Sequence, residues 1–188
     1  MNSENTSIPV IDVGSLSGQS PSSALYSSFY EAYHHLGFGY IVNHGIEPAL
    51  VESVFDASRR FHAMPLEEKM KIALDRKHRG YIAINTSTDV NSQLAEVKKP
   101  NQSASFMMMR EDREETAGVY LSGPNQWPEL DGFRPVLEKF NAELERLAQK
   151  LMRVALVSAG VQDLSVMEKF VKPTTWLRLL HYPPLPKG

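Results

Sequence analysis

The 188-residue chain contains no cysteine. This excludes disulfides, thiolate nucleophiles, zinc ribbons and iron–sulfur clusters built from the chain itself. It also fits a reducing compartment. No apolar run approaches the ~20 residues of a membrane span. The opening MNSENTSIPVIDVGS lacks the basic stretch followed by an apolar core that marks a secretory signal. The expectation is a cytoplasmic protein with no membrane partner. Positive charge is not in excess either. Twenty Lys and Arg stand against 22 Asp and Glu, leaving −2, mixed along the chain. A nucleic-acid face needs a basic stripe or patch, so none is expected.

Catalytic signatures are equally scarce. A two-histidine, one-carboxylate iron site takes two ligands from a His-x-Asp or His-x-Glu pair, a spacing that points both side chains to one face of a strand. Two positions after the six histidines stand Leu36, Gly37, Ile46, Met64, Gly80 and Pro183, so no such pair exists. There is no His-Glu-x-x-His and no phosphate loop, since GFGY lacks the third glycine and no P-loop lysine follows. His34 and His35 are adjacent on a helix and diverge by about 100°, which reads as a helix-end surface pair. His44, in a turn after a strand, reads as a hydrogen-bonding residue rather than a ligand.

What is present is a mixed pattern of elements. IPVIDV (8–13) reads as a short strand. Leu25, Phe29, Ala32, Tyr33 and Leu36 form one stripe of a helix, with Pro21 in its first turn and Gly37 at its end. GFGYIVNHG switches to a strand closed by Asn43-His44-Gly45. Glu47 and Pro48 open a second helix with Val51, Val54, Phe55, Ser58 and Phe61 on one face, and a short helix follows Pro65. RGYIAI and SASFMMMRE read as strands, separated by a polar loop. The strongest helix runs from about Gly132 to Ser158, with Phe133, Val136, Leu137, Phe140, Leu144, Leu147, Leu151 and Val154 at three-and-four spacing. A short helix around 163–170 precedes a final strand, TTWLRLLHYPP.

Two arginines stand out. Arg79 precedes a Gly-Tyr strand start and could clamp a carboxylate bidentately, or be a solvated member of the basic stretch with Arg76 and Lys77. In the last strand, alternation puts Trp176, Arg178, Leu180 and Tyr182 on one face and Leu177, Leu179 and His181 on the other. An arginine and a tyrosine on one face make a polar, anion-binding wall. The run Met107-Met108-Met109 reads as a buried strand or a pliable binding wall.

IPVIDV, GFGYIVNHGI, FHAMPLEEKMKI, RGYIAI, PNQWP before the long helix, and LRLLHYPP occur in that order. Together, across residues 8–186, they resemble the N-terminal half of the isopenicillin N synthase-like iron(II)/2-oxoglutarate-dependent oxygenases. The resemblance implies an α+β fold: a loose start at 1–7, a helix-rich non-haem dioxygenase N-terminal domain with a few strands at 8–173, and at 174–188 the first strand and hinge of a double-stranded β-helix (jelly roll). It implies that iron(II), 2-oxoglutarate and a small-molecule substrate belong to full-length relatives. It also implies that the iron and 2-oxoglutarate ligands follow LRLLHYPP, so that no catalytic or metal residue lies in this chain, which is expected to be inactive alone. Tyr182 matches a family tyrosine that often faces the active cavity and bonds a carboxylate. Arg79-Gly80-Tyr81 is similar to a stretch that contributes to the substrate pocket in some members. The candidate pocket residues are thus Tyr182, Arg178, Arg79 and Tyr81. The alternative is a non-catalytic interaction module that self-associates through the unpaired edge of the last strand.

Overall fold

The computed structural model describes residues 7–18, 21–86, 102–112, 119 and 121–184. The expectations for residues 1–6, for the polar loop 87–101, for the connection 113–118 and for the last four residues lie outside them. The chain divides into two compact units, Met1–Leu50 with Phe140–Lys172, and Val51–Lys139 with Pro173–Gly188.

In the first unit, β1 (Val10–Asp12) and β2 (Tyr40–Val42) pair in parallel, Val10 opposite Tyr40 and Asp12 opposite Val42. Helix α1 (Ser23–His35) connects them, as a parallel pair requires a crossover. Its N-cap is Ser22, whose Oγ accepts from the Leu25 amide at 3.2 Å. Pro21 therefore stands outside the helix rather than in its first turn, because the serine satisfies an orphan donor that proline could not. The helix closes where Gly37, at φ +82°, takes a left-handed turn and donates to the Ala32 carbonyl. Leu25, Phe29 and Ala32 meet Ile11, Val13 and Val154 in one buried cluster. Tyr33, expected on the same stripe, is exposed.

In the second unit, α2 (Pro48–Ala63) contributes its turns from Val51 onward, followed by α3 (Leu66–Met70), β3 (Gly80–Ile82), β4 (Ala104–Met109) and β5 (Trp176–His181). The strands form an antiparallel sheet in the order β3-β4-β5. The final strand-like run thus finds a partner earlier in the chain, in β4. Phe61, Phe106 and Phe133 are fully buried, and their rings meet at 5.0–5.3 Å. Each such side chain contributes roughly 1.5–3 kcal/mol by leaving water.

The core stripe of α2 differs from the expected one. Val54, Ala57 and Phe61 are buried, whereas Phe55 is 63% exposed. Both sets fit a helical period, and the fold buries the one that contains Ala57. Helix α4 (Phe133–Ser158) has 26 residues, about 39 Å at 1.5 Å per residue. It ends at Gly160, φ +80°, with Val161 N–H donating to the Leu156 carbonyl. The short helix expected at 163–170 is a 3-10 turn, Ser165–Phe170. Among the described residues no helix is long and apolar enough to cross a membrane.

Candidate functional site

Strand β4 sets two faces of the second unit's sheet. Its register places Tyr81, Phe106 and Leu179 side by side, and on the other face Gly80, Met107 and Arg178. The first face packs inward: Tyr81, Phe106 and Leu179 are all buried. The β5 part of the second face is open, with Trp176 59%, Leu180 46% and Tyr182 69% exposed. Arg178 lies among them, its Nε donating to the Ser105 Oγ at 2.9 Å. Ser105 is fully buried, so this bond pins the root of the guanidinium to the sheet. The terminal nitrogens of Arg178 form no hydrogen bond among the described residues and remain donors for an anion. Along an extended chain, Arg178 and Tyr182 are roughly 13 Å apart. That separation exceeds the span of a single carboxylate. Met108 and Met109 are buried, so most of the methionine run is packed strand.

Arg79 has a different environment. It is 0% exposed, which replaces the reading of a solvated arginine. One terminal nitrogen donates to the carbonyls of Lys77 at 3.1 Å and Leu121 at 2.8 Å, and the other to that of Arg110 at 3.1 Å. The guanidinium sews three backbone segments together. The segment PNQWP completes the clasp. The Asn125 amide pairs with Met109 as a neighbouring strand would, accepting from its N–H at 2.9 Å and donating to its carbonyl at 2.8 Å. Gln126 Nε2 donates to the carbonyls of Arg79 at 2.8 Å and Ala73 at 3.0 Å. Gly80 fits between these groups at φ +113°, where a Cβ would stand 2.2 Å from the Ile72 carbonyl oxygen. Tyr81 follows, its ring 5.8 Å from that of Phe61, and burial pushes its hydroxyl pKa up. Of the four sequence candidates, Arg178 on β5 and Tyr182 just past its end are exposed; Arg79 and Tyr81 lie in the interior.

The sequence reading missed a cluster beneath β5. His62 and His181 stack with ring centroids 4.9 Å apart, and His62 Nε2 lies 3.3 Å from the Leu179 carbonyl oxygen. A hydrogen bond there puts the proton on Nε2. Burial, reinforced by the neighbouring His181 and Lys69, lowers the His62 pKa to about 4 against the opposing effect of that bond. Lys69, also buried, donates to the His62 carbonyl at 2.7 Å, and burial lowers its pKa. The spacing of His62 and Lys69, seven residues apart across a helix break, gave no signal of this contact. In the first unit, His34 stacks on Tyr30, and His35 pairs with Glu31 at 3.0 Å in solvent.

The donor set does not suit iron. Among the described residues no group of three His, Cys, Asp or Glu side chains is placed to hold a metal ion. The open face instead offers a guanidinium and a phenol, groups that bind carboxylates.

Comparison with known proteins places this architecture. Residues 8–130 match the family model described as the N-terminal region of the non-haem dioxygenase in morphine synthesis. The 2-oxoglutarate-dependent dioxygenase thnC of Trichoderma harzianum is 30% identical over 192 residues, covering 97% of this chain and 58% of that protein. Azadirone synthase LFS of Melia azedarach is 32% identical over 143 residues, 73% of this chain and 40% of that protein. The crystal structure of a full-length Neurospora crassa protein in complex with alpha-ketoglutarate and thymine superposes on 97% of this chain and 57% of its own, with a TM-score of 0.75 and 27% identity. The chain thus spans about half the length of the relatives it matches.

Proposed function

Because the chain belongs to the iron(II)/2-oxoglutarate-dependent oxygenases, through their non-haem dioxygenase N-terminal family, we propose that it is the N-terminal part of an enzyme oxidising a small organic molecule. The observation that carries this reading is the family match over residues 8–130, supported by solved oxygenases that cover nearly all of the chain. Residues 174–188 open the catalytic jelly roll in this reading, and the iron and 2-oxoglutarate ligands belong to sequence outside the 188 residues. Iron(II) and 2-oxoglutarate, when bound in the full-length enzyme, supply the oxidising chemistry. The contribution of this chain is positional. Arg178 and Tyr182 present a cationic donor and a hydroxyl to carboxylate groups of substrate or cosubstrate, while Arg79 and Tyr81 act on the pocket from behind by holding the sheet in register.

The 188-residue chain alone is expected to turn over no 2-oxoglutarate. Oxygen uptake with iron(II), ascorbate and 2-oxoglutarate measures this directly. Clear turnover above an iron-only control would overturn the proposal. A second reading rests on β5, which among the described residues pairs with no strand other than β4 and carries exposed Trp176 and Leu180. Such an edge is a template for pairing, so the chain would act as a self-associating module. Light scattering across a concentration series separates the two, since a monomer throughout eliminates the second.

A further inference from the structure

We infer that the first unit carries a binding site for a small apolar monocarboxylate, at the turn Asn43-His44-Gly45 and the facing side of α4. A cavity of about 230 Å³ opens there. That is below the ~300–1,000 Å³ of sites for drug-sized ligands, and suits one ring or a short branched chain. Its floor is apolar, formed by Val13, Ile46 and Leu147, and its rim is charged, with Arg146 and Lys150 one helical turn apart. The site lies wholly in the first unit and is independent of the oxygenase reading, which concerns the second unit's sheet.

The turn is fixed by side-chain hydrogen bonds. Asn43, a non-glycine residue, sits at φ +57°, and Gly45 at φ +79°. Glycine takes such a φ freely, whereas at Asn43 it needs support from surrounding contacts. The Asn43 Nδ2 donates to Asp12 Oδ2 at 2.8 Å, and the other oxygen of Asp12 accepts from the Gly14 amide at 2.8 Å. Between the two left-handed residues, His44 Nδ1 accepts from the Ile46 amide at 3.1 Å. With Nδ1 serving as acceptor, the neutral imidazole carries its proton on Nε2, and that N–H is left as a donor in the lining of the cavity.

Charge selects the ligand. Lys150 gives one ammonium hydrogen to the Leu16 carbonyl at 3.1 Å and retains two more. Arg146 is ion-paired with Glu143, which also lines the cavity. One ammonium, one guanidinium and one carboxylate sum to a single positive charge. A monoanion neutralises it, whereas a dianion leaves a charge over and meets Glu143. The apolar floor then favours a carboxylate with a compact hydrocarbon body over inorganic phosphate.

The probe is benzoate, titrated into the 188-residue chain and followed by saturation-transfer NMR and by the histidine side-chain nitrogen signals. Benzyl alcohol serves as the uncharged analogue and phosphate as the bodiless anion. Saturable benzoate binding that shifts the His44 Nε2 signal is expected. Lys150→Gln and Arg146→Gln should each weaken it by about fivefold or more. The isosteric change Glu143→Gln removes the opposing charge and should tighten it by about threefold. Failure of benzoate to saturate overturns the inference, as does benzyl alcohol binding equally well. So does an unchanged affinity in the Glu143→Gln protein, a variant whose fold is not at risk.

Discussion

Strands β3 and β5 both pair with β4, and each carries or adjoins an arginine and a tyrosine: Arg79, just before β3, with Tyr81, and Arg178 with Tyr182, just after β5. In sequence the two pairs look alike. In the fold, the β3 pair faces inward, where Arg79 satisfies three backbone carbonyls and Tyr81 packs on Phe61. The β5 pair is exposed, and Arg178 is tethered through its side chain to Ser105. The difference lies in what each guanidinium does with its donors. Donors already matched to carbonyls belong to the scaffold, and unmatched ones at a surface are available to a ligand. Substitutions on the two strands should therefore have different consequences.

The largest effect is expected at Arg79. Replacement by Met leaves the carbonyls of Lys77, Leu121 and Arg110 without their donor in the interior. The expected loss is about 3 kcal/mol or more in urea unfolding. Arg79→Lys should recover little, because one ammonium cannot span three segments as a planar fork does. Gly80→Ala comes next, since a Cβ would collide with the Ile72 carbonyl oxygen at an unfavourable φ. A loss of about 2–3 kcal/mol, or failure to fold, is expected.

The stack beneath β5 adds a pH test. His62 titrates near 4 in the folded chain rather than at its ordinary 6.5, so the unfolded chain binds a proton first on acidification. The His62 contribution to stability is therefore expected to fall as pH drops from about 6.5 to about 4 and to level off below, by up to about 2 kcal/mol after allowance for partial solvation. His62→Phe should flatten that interval relative to the parent, even if it lowers stability overall. Towards the small end, Arg178→Met should cost about 1–2 kcal/mol, since it removes one hydrogen bond and leaves the buried Ser105 hydroxyl without that partner. Tyr182→Phe should be neutral within about 0.5 kcal/mol. Both should weaken carboxylate recognition in the full-length enzyme.

Most elements were legible in the sequence, and the reasons for the misses are specific. The α1 stripe, the Gly37 and Gly160 stops and the long α4 follow from period and turn chemistry, which are local. The alternation in β5 was also local, and it placed Arg178 and Tyr182 on one face. The stripe of α2 went astray because Phe55 and Ala57 fit the helical period equally well, and only neighbours distant in sequence decide between them. Arg79 could not be assigned from its basic surroundings, because its partners Leu121 and Arg110 lie 42 and 31 residues away. The motif PNQWP was recognisable as a pattern, but its role as a backbone clasp required the fold. The His62–His181 stack spans more than a hundred residues and left no trace in spacing.

The contrast between the two strands rests most directly on one paired measurement: urea unfolding of Arg79→Met and Arg178→Met chains beside the parent. A loss of about 3 kcal/mol or more for the first and about 1–2 kcal/mol for the second is predicted. Equal losses, or a larger one at Arg178, would contradict the assignment of β3 to scaffold and β5 to ligand recognition.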